Sequence, residues 1–164
     1  MILPIVAFGS AILRDKCINI TSNYPELDNL IDNMWETMYA ANGVGLAAPQ
    51  INKKIRLFII DTMSFNQDEN IEDVMPVKQV FINPRIIDES GDKWTFNEGC
   101  LSIPEIREDV VRKSIIKIEY LDEKFNKRIK EYDGVVARVI QHEYDHINGV
   151  LFIGDKYLCL DYYL

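Results

Sequence analysis

Leu27, Leu30, Ile31, Met34 and Met38 recur at intervals of three and four residues, with Asp28, Asp32 and Glu36 on the opposite side. That period predicts an amphipathic helix. Ser22 or Asn23 can cap it, Pro25 suits its first turn, and Asn42-Gly43 should break it. A second helical pattern, Val135, Val136, Val139 and Ile140, follows Asp133 as a reasonable N-cap and runs toward Gly149 as a stop. Between the two helices the chain reads as strands. Ile55 to Ile60 is short and β-rich, Val80-Phe81-Ile82 resumes after a polar stretch, and Asn83-Pro84 interrupts or bends it. Arg85 to Asp88 continues extended, and Glu89-Ser90-Gly91-Asp92 predicts a hairpin turn. Ser114 to Leu121 alternates, Asp122 to Phe125 turns, and Asn126 to Tyr132 returns into the second helix. Residues 62–77 are polar and acidic and predict a solvated loop. Ile2 to Ala7 predicts a short extended segment, and Val150 to Ile153 offers apolar surface. The last ten residues, Asp155 to Leu164, give no clear period.

Composition narrows the class. With 164 residues, 48% hydrophobic and 27% charged, the chain predicts one globular domain spanning 1–164. A net charge of −8 argues against a broad nucleic-acid groove or an anionic membrane surface as partner. No apolar run approaches bilayer-spanning length, and the start lacks the marks of a signal or transit peptide, so a cytoplasmic location is expected. The three cysteines, Cys17, Cys100 and Cys159, are widely spaced and suggest free thiols or a metal ligand, not a disulfide frame.

Chemistry concentrates in Gln141-His142-Glu143-Tyr144-Asp145-His146, which holds both histidines of the chain. Residues i and i+4 share a helix face, so His142 and His146 can reach one metal ion. Glu143 can lie beside that ion without binding it and handle the proton of a metal-held water. Two histidines leave a tetrahedral site incomplete, and a third ligand must come from elsewhere. Cys100, in the constrained run Asn97 to Pro104, could supply a thiolate. It could also be a nucleophile, though no spare histidine remains as its base, or a plain core residue. The small-residue run Gly43-Val44-Gly45-Leu46-Ala47-Ala48-Pro49-Gln50 fails as a phosphate loop, lacking Gly-Lys-Ser/Thr. It reads either as a backbone lining a site and ending in an amide that can donate to an oxyanion, or as a tight crossover.

Three blocks stand in order: Gly43 to Gln50, Glu98-Gly99-Cys100-Leu101-Ser102, and Gln141 to His146. Together they resemble the three signature motifs of the peptide deformylases, from the start of the chain through Phe152. The resemblance implies an α+β fold in which antiparallel strands pack around a central metal-binding HExxH helix, with an N-terminal helix. It implies that Cys100, His142 and His146 bind one divalent metal, Fe(II) in the cell with Zn(II) or Ni(II) able to substitute. Glu143 looks like the general base and later acid, and Gln50 and the Leu101 N–H look like the oxyanion donors. Gly45 would contact the substrate backbone, and Val44 and Val139 are candidates for the wall of a methionine pocket, or ordinary core. The implied partners are N-formylmethionyl nascent polypeptides, with the ribosome exit region as a further candidate. The tail after Phe152 departs from the basic C-terminal helix that some members use at the ribosome, and residues 62–79 are longer than a compact member needs.

Two other readings share the HExxH pattern. A metallopeptidase would cleave unformylated peptides, and the cysteine and the Gln50 loop speak against it. A purely structural metal site would have no use for the Glu143 carboxylate.

Overall fold

The computed structural model describes residues 1–67 and 76–154, and the Asp155 to Leu164 tail and the centre of the 62–77 stretch lie outside them. Helix α1 runs Leu27–Ala40 and helix α2 Gly134–Ile147. Five antiparallel strands lie side by side in chain order among the described residues: β1 Gly45–Ala47, β2 Leu57–Asp61, β3 Lys78–Cys100, β4 Ile103–Leu121 and β5 Lys127–Asp133. No helix among these residues is long and apolar enough to cross a membrane.

The sheet separates two cores. All five residues of β2 are buried, because both of its faces are covered. Leu57 and Ile59 join Leu30, Met34 and Met38 of α1 on one face. Phe58 and Ile60 join Phe81, Ile116, Ile118 and Tyr120 against Val136, Val139 and Ile140 of α2 on the other. Strand alternation therefore decides which helix each residue meets. Phe81 stacks on Phe58 at a centroid separation of 4.7 Å and tilts against Tyr120 at 4.4 Å.

Several boundaries differ from the sequence reading. Helix α1 begins at Leu27, after Glu26 in a left-handed conformation, and neither Ser22 nor Asn23 caps it. Asp133 stands at the N-cap of α2, but its side chain makes no capping hydrogen bond. The glycine-rich run is part strand, β1, and part 3-10 turn, Ala48–Ile51. Residues 63–67 form a further 3-10 turn at the start of the stretch read as a solvated loop.

The largest difference lies at Glu89 to Asp92, where no hairpin turns. Strand β3 runs on through it, and the register against β4 shifts between Ser90 and Lys93. Gly91 has φ +72°, so its freedom forms a bulge instead of a reversal. The chain reverses ten residues later, at Leu101-Ser102, where β3 and β4 meet through the pair Cys100 and Ile103. Asn83 likewise has a positive φ and the ladder slips there, so the predicted interruption bends the strand without ending it. The turn at Asp122 to Phe125 stands as expected, with the Asp122 N–H donating to Asn126 O at 3.0 Å.

Candidate metal centre

Helix α2 presents His142 and His146 one turn apart, with ring centroids 5.0 Å from each other. Cys100 arrives from the end of β3, where the tight reversal turns its side chain toward the helix. Its Sγ stands 3.2 Å from His146 Nε2. One donor atom from each of Cys100, His142 and His146 lies within 4.8 Å of the others. A tetrahedral ion with bonds of about 2.0–2.3 Å spaces its ligand atoms at roughly 3.5 Å, so the cluster matches that size. The donor set, one thiolate and two imidazoles, suits a borderline divalent ion.

Electrostatics agree with a cation there. Burial lowers the His142 pKa, but hydrogen bonding to Cys100 and Glu98 outweighs it and pushes the ring up to about 10. Burial and the His142 charge hold His146 well below the usual histidine range. A divalent ion held by these three residues would take the place of the proton on His142. His146 Nδ1 has no hydrogen-bond partner among the described residues.

Glu143 is buried beside the histidines, and its Oε2 also lacks a partner among the described residues. Burial is the main reason its pKa is pushed up to about 7, with the His142 charge opposing. Gly45 of β1 lies directly against this carboxylate, where any Cβ would collide with the Glu143 side chain. Gln50 is buried in the 3-10 turn. Its Oε1 accepts the Ala47 N–H at 2.8 Å, which aims the amide nitrogen the other way, at Ser102 Oγ (3.2 Å) and Cys100 Sγ (3.5 Å). The N-terminal segment ties both loops together, with the Val6 N–H on Gln50 O at 2.7 Å and the Phe8 N–H on Ser102 O at 2.8 Å.

A cavity of about 530 Å³ opens over this cluster. Val44, Gly45, Gln50, Cys100, Leu101, Val139, His142 and Glu143 all line it, while His146 sits buried behind. The structure thus brings together every site residue named from the sequence. Val139 is 7% exposed and Val44 packs against the same core, so both serve the core and face the cavity.

Sequence reasoning assigned no role to Glu98, Arg112 and Arg138, which form a buried charge cluster behind His142. Glu98 Oε2 lies 2.9 Å from His142 Nδ1. Arg112 grips Glu98 with two hydrogen bonds, Nε to Oε1 at 2.7 Å and Nη2 to Oε2 at 2.9 Å, and its Nη1 reaches Asp145 Oδ2 at 2.7 Å. Arg138 Nη1 donates to Glu98 Oε1 at 2.6 Å. Burial alone would raise the Glu98 pKa, but hydrogen bonds from His142 and Arg112 hold it far below the usual carboxylate range. A carboxylate on the far nitrogen of a metal-ligating histidine fixes the ring's tautomer and direction. A signal was available: Arg138 is four residues before His142, on the same helical stripe.

The family model for polypeptide deformylase matches residues 2–156. The chain belongs to the polypeptide deformylase family. The peptide deformylase of Christiangramia forsetii is 54% identical over 157 residues, covering 93% of this chain and 80% of that one. That of Salinibacter ruber is 46% identical over 154 residues, covering 93% and 79%. Among solved structures, the Thermotoga maritima peptide deformylase superposes with a TM-score of 0.81 at 38% identity, covering 93% of this chain and 96% of that one. The Synechococcus elongatus peptide deformylase, solved in complex with actinonin, gives 0.82 at 38% identity, covering 92% and 76%. The chain is an enzyme of this deformylase family, with its antiparallel sheet and two helices.

Proposed function

We propose that this chain, as a single catalytic domain over 1–164, hydrolyses the formamide at the N-formylmethionyl end of newly made polypeptides, releasing formate and a free amino terminus. One observation carries the reading: a cysteine and two histidines converge within 4.8 Å beside a buried Glu143 whose Oε2 has no hydrogen-bond partner among the described residues, in a deformylase framework.

Cys100, His142 and His146 would hold one divalent ion, Fe(II) in the cell, with Zn(II) or Ni(II) fitting the same ligands. Such an ion lowers the pKa of a water it binds, from 15.7 toward roughly 7, and polarises the carbonyl to be attacked. Glu143 accepts the proton of the attacking water on its carboxylate and delivers it to the nitrogen of the leaving amine. A pKa pushed up to about 7 by burial suits both halves of that transfer. The Gln50 amide N–H and the backbone N–H of Leu101 donate to the oxygen on which negative charge develops. The contact to Ala47 keeps the Gln50 amide from rotating its oxygen into that position. Gly45 leaves its backbone open to the substrate, and Val44 and Val139 wall the methionine side chain. The substrate is met in the cytoplasm, with the ribosome exit region as a further partner.

The test is formate release from a short formyl-methionyl peptide, using protein purified without oxygen in the presence of Fe(II), with Glu143→Ala alongside. Fast release by the parent and almost none by the variant is expected. Intact release by the variant would sink the role of Glu143. No release by the metal-loaded parent, with cleavage of an unformylated peptide instead, would replace the reaction by a peptidase.

A further inference from the structure

We propose that Arg138 is a positioning residue of the metal centre, acting through Glu98 to fix the His142 ring and its separation from Cys100. The proposal rests on the metal-ligand set named above.

The geometry begins on α2. Arg138, His142 and Asp145 are spaced four and three residues apart and therefore form one stripe of the helix. All three meet the β3–β4 hairpin at one place. Glu98 accepts four hydrogen bonds there: Arg112 Nε and Arg138 Nη1 on Oε1, and Arg112 Nη2 and His142 Nδ1 on Oε2. Arg112 belongs to the hairpin itself, whereas Arg138 belongs to the helix that carries His142.

Arg138 also grips both strands of the hairpin. Its Nη2 donates to Trp94 O at 2.7 Å in β3, and its Nη1 donates to Val110 O at 3.0 Å in β4. The guanidinium carbon lies 4.2 Å from the centroid of the Trp94 ring. Cys100 is two residues beyond Glu98 on the same strand. One buried guanidinium thus sets the hairpin against the helix at the level where the thiolate of one must meet the imidazoles of the other. A Met of similar length would fill the same space but hold none of the three oxygens.

A purely structural role makes a different prediction. Buried ion pairs are often replaced by apolar residues with little loss of stability, or a gain, when no charge is left unpaired. Glu98 keeps Arg112 as its counter-ion after Arg138→Met. Stability and metal binding should therefore part company in this variant.

The experiment uses the holoenzyme loaded with Co(II), reading the d–d spectrum and the affinity by chelator competition. Parent, Arg138→Met, Arg138→Lys, Glu98→Gln and the double variant Glu98→Gln/Arg138→Met are compared. The expected result for Arg138→Met is a loss of about 10–100-fold in metal affinity, the range seen when groups behind a ligand are removed. A changed d–d spectrum and a fall in kcat with little change in KM should accompany it. Arg138→Lys, with one donor group in place of a fork, should fall between Arg138→Met and the parent. In the Glu98→Gln background, Arg138→Met should cost much less than in the parent, because only the part carried by the Trp94 and Val110 carbonyls is left to lose.

Parent-like affinity and spectrum in folded Arg138→Met overturn the proposal. So does a double variant whose losses simply multiply. If Arg138→Met does not fold, Arg138→Lys decides: a severalfold loss of affinity supports the role, and parent-like affinity overturns it. A parent that binds one ion per chain and loses it on Cys100→Ala keeps the ligand set standing whatever becomes of Arg138. A parent that binds none overturns both.

Discussion

A Cβ on Gly45 would stand 2.7 Å from Cδ of Glu143 and 2.8 Å from its Cγ. The glycine of one motif is therefore the space that the carboxylate of another occupies. Gly45→Ala should push Glu143 away from the cluster while leaving Cys100, His142 and His146 in place. The expected outcome is a fall in kcat of about 10²-fold, since roughly 1 Å of misplacement has that cost. Metal stoichiometry, measured on the same preparation, should stay at the parent's value. A variant of undiminished kcat would mean that Glu143 has room to retreat without losing its role.

Gln50 carries a second prediction. Its amide is clamped by the Ala47 N–H, with its nitrogen pointing toward Cys100 and Ser102. Gln50→Leu removes the donor but keeps most of the bulk. The loss should fall on kcat, about 10²–10³-fold, with KM little changed, as for other lost oxyanion donors. A change in KM alone would assign Gln50 to substrate binding instead.

The parts of this site that could be read from the sequence are those whose signals are local. His142, Glu143 and His146 fall within five residues and one helical period, and the small side chains around Gly45 announce a close approach. The same locality misplaces the hairpin. Ser90-Gly91-Asp92 looks like a turn whether the chain reverses there or bulges, and only the partner strand decides. The true reversal at Leu101-Ser102 lacks strong turn residues between its strands. Glu98, Arg112 and Arg138 are joined across 14 and 40 residues of chain, and no spacing rule connects a buried carboxylate to a guanidinium that far away. The apolar stripe of α1 was plain from its period, but which sheet face it covers was settled by the alternation within β2.

That stripe allows a prediction separate from the chemistry. Met34 is fully buried in the core between α1 and the sheet, on the face opposite α2. Met34→Ala should lower unfolding stability by about 2–5 kcal/mol, through lost burial and the cavity left behind. None of the metal ligands belongs to this core, although Leu101 packs on its edge, so kcat measured well below the melting temperature should change far less than stability. A large drop in kcat with little loss of stability would reverse the assignment of Met34 to the core alone.

The turn before β5 gives a dependence on pH. Asp122 Oδ1 accepts the Lys124 N–H at 3.0 Å and the Asn126 N–H at 2.9 Å, and Oδ2 accepts Arg128 Nε at 2.9 Å. Burial alone would raise its pKa, but these donors outweigh it and hold the carboxyl down at about 2, against an ordinary 3.8. A carboxylate whose pKa is lower in the folded state adds stability that is fully present above its unfolded value. That contribution is lost as pH falls toward the folded value. Urea denaturation of the parent and of Asp122→Asn should therefore differ by a constant amount from about pH 7 down to about pH 5, with the parent more stable. The difference should shrink between roughly pH 4 and pH 2 as the parent's carboxylate takes up its proton. Metal release in acid affects both proteins alike and cancels from the comparison. A gap that persists unchanged to the acid end would mean that the turn is held by the shape of the side chain and not by its charge.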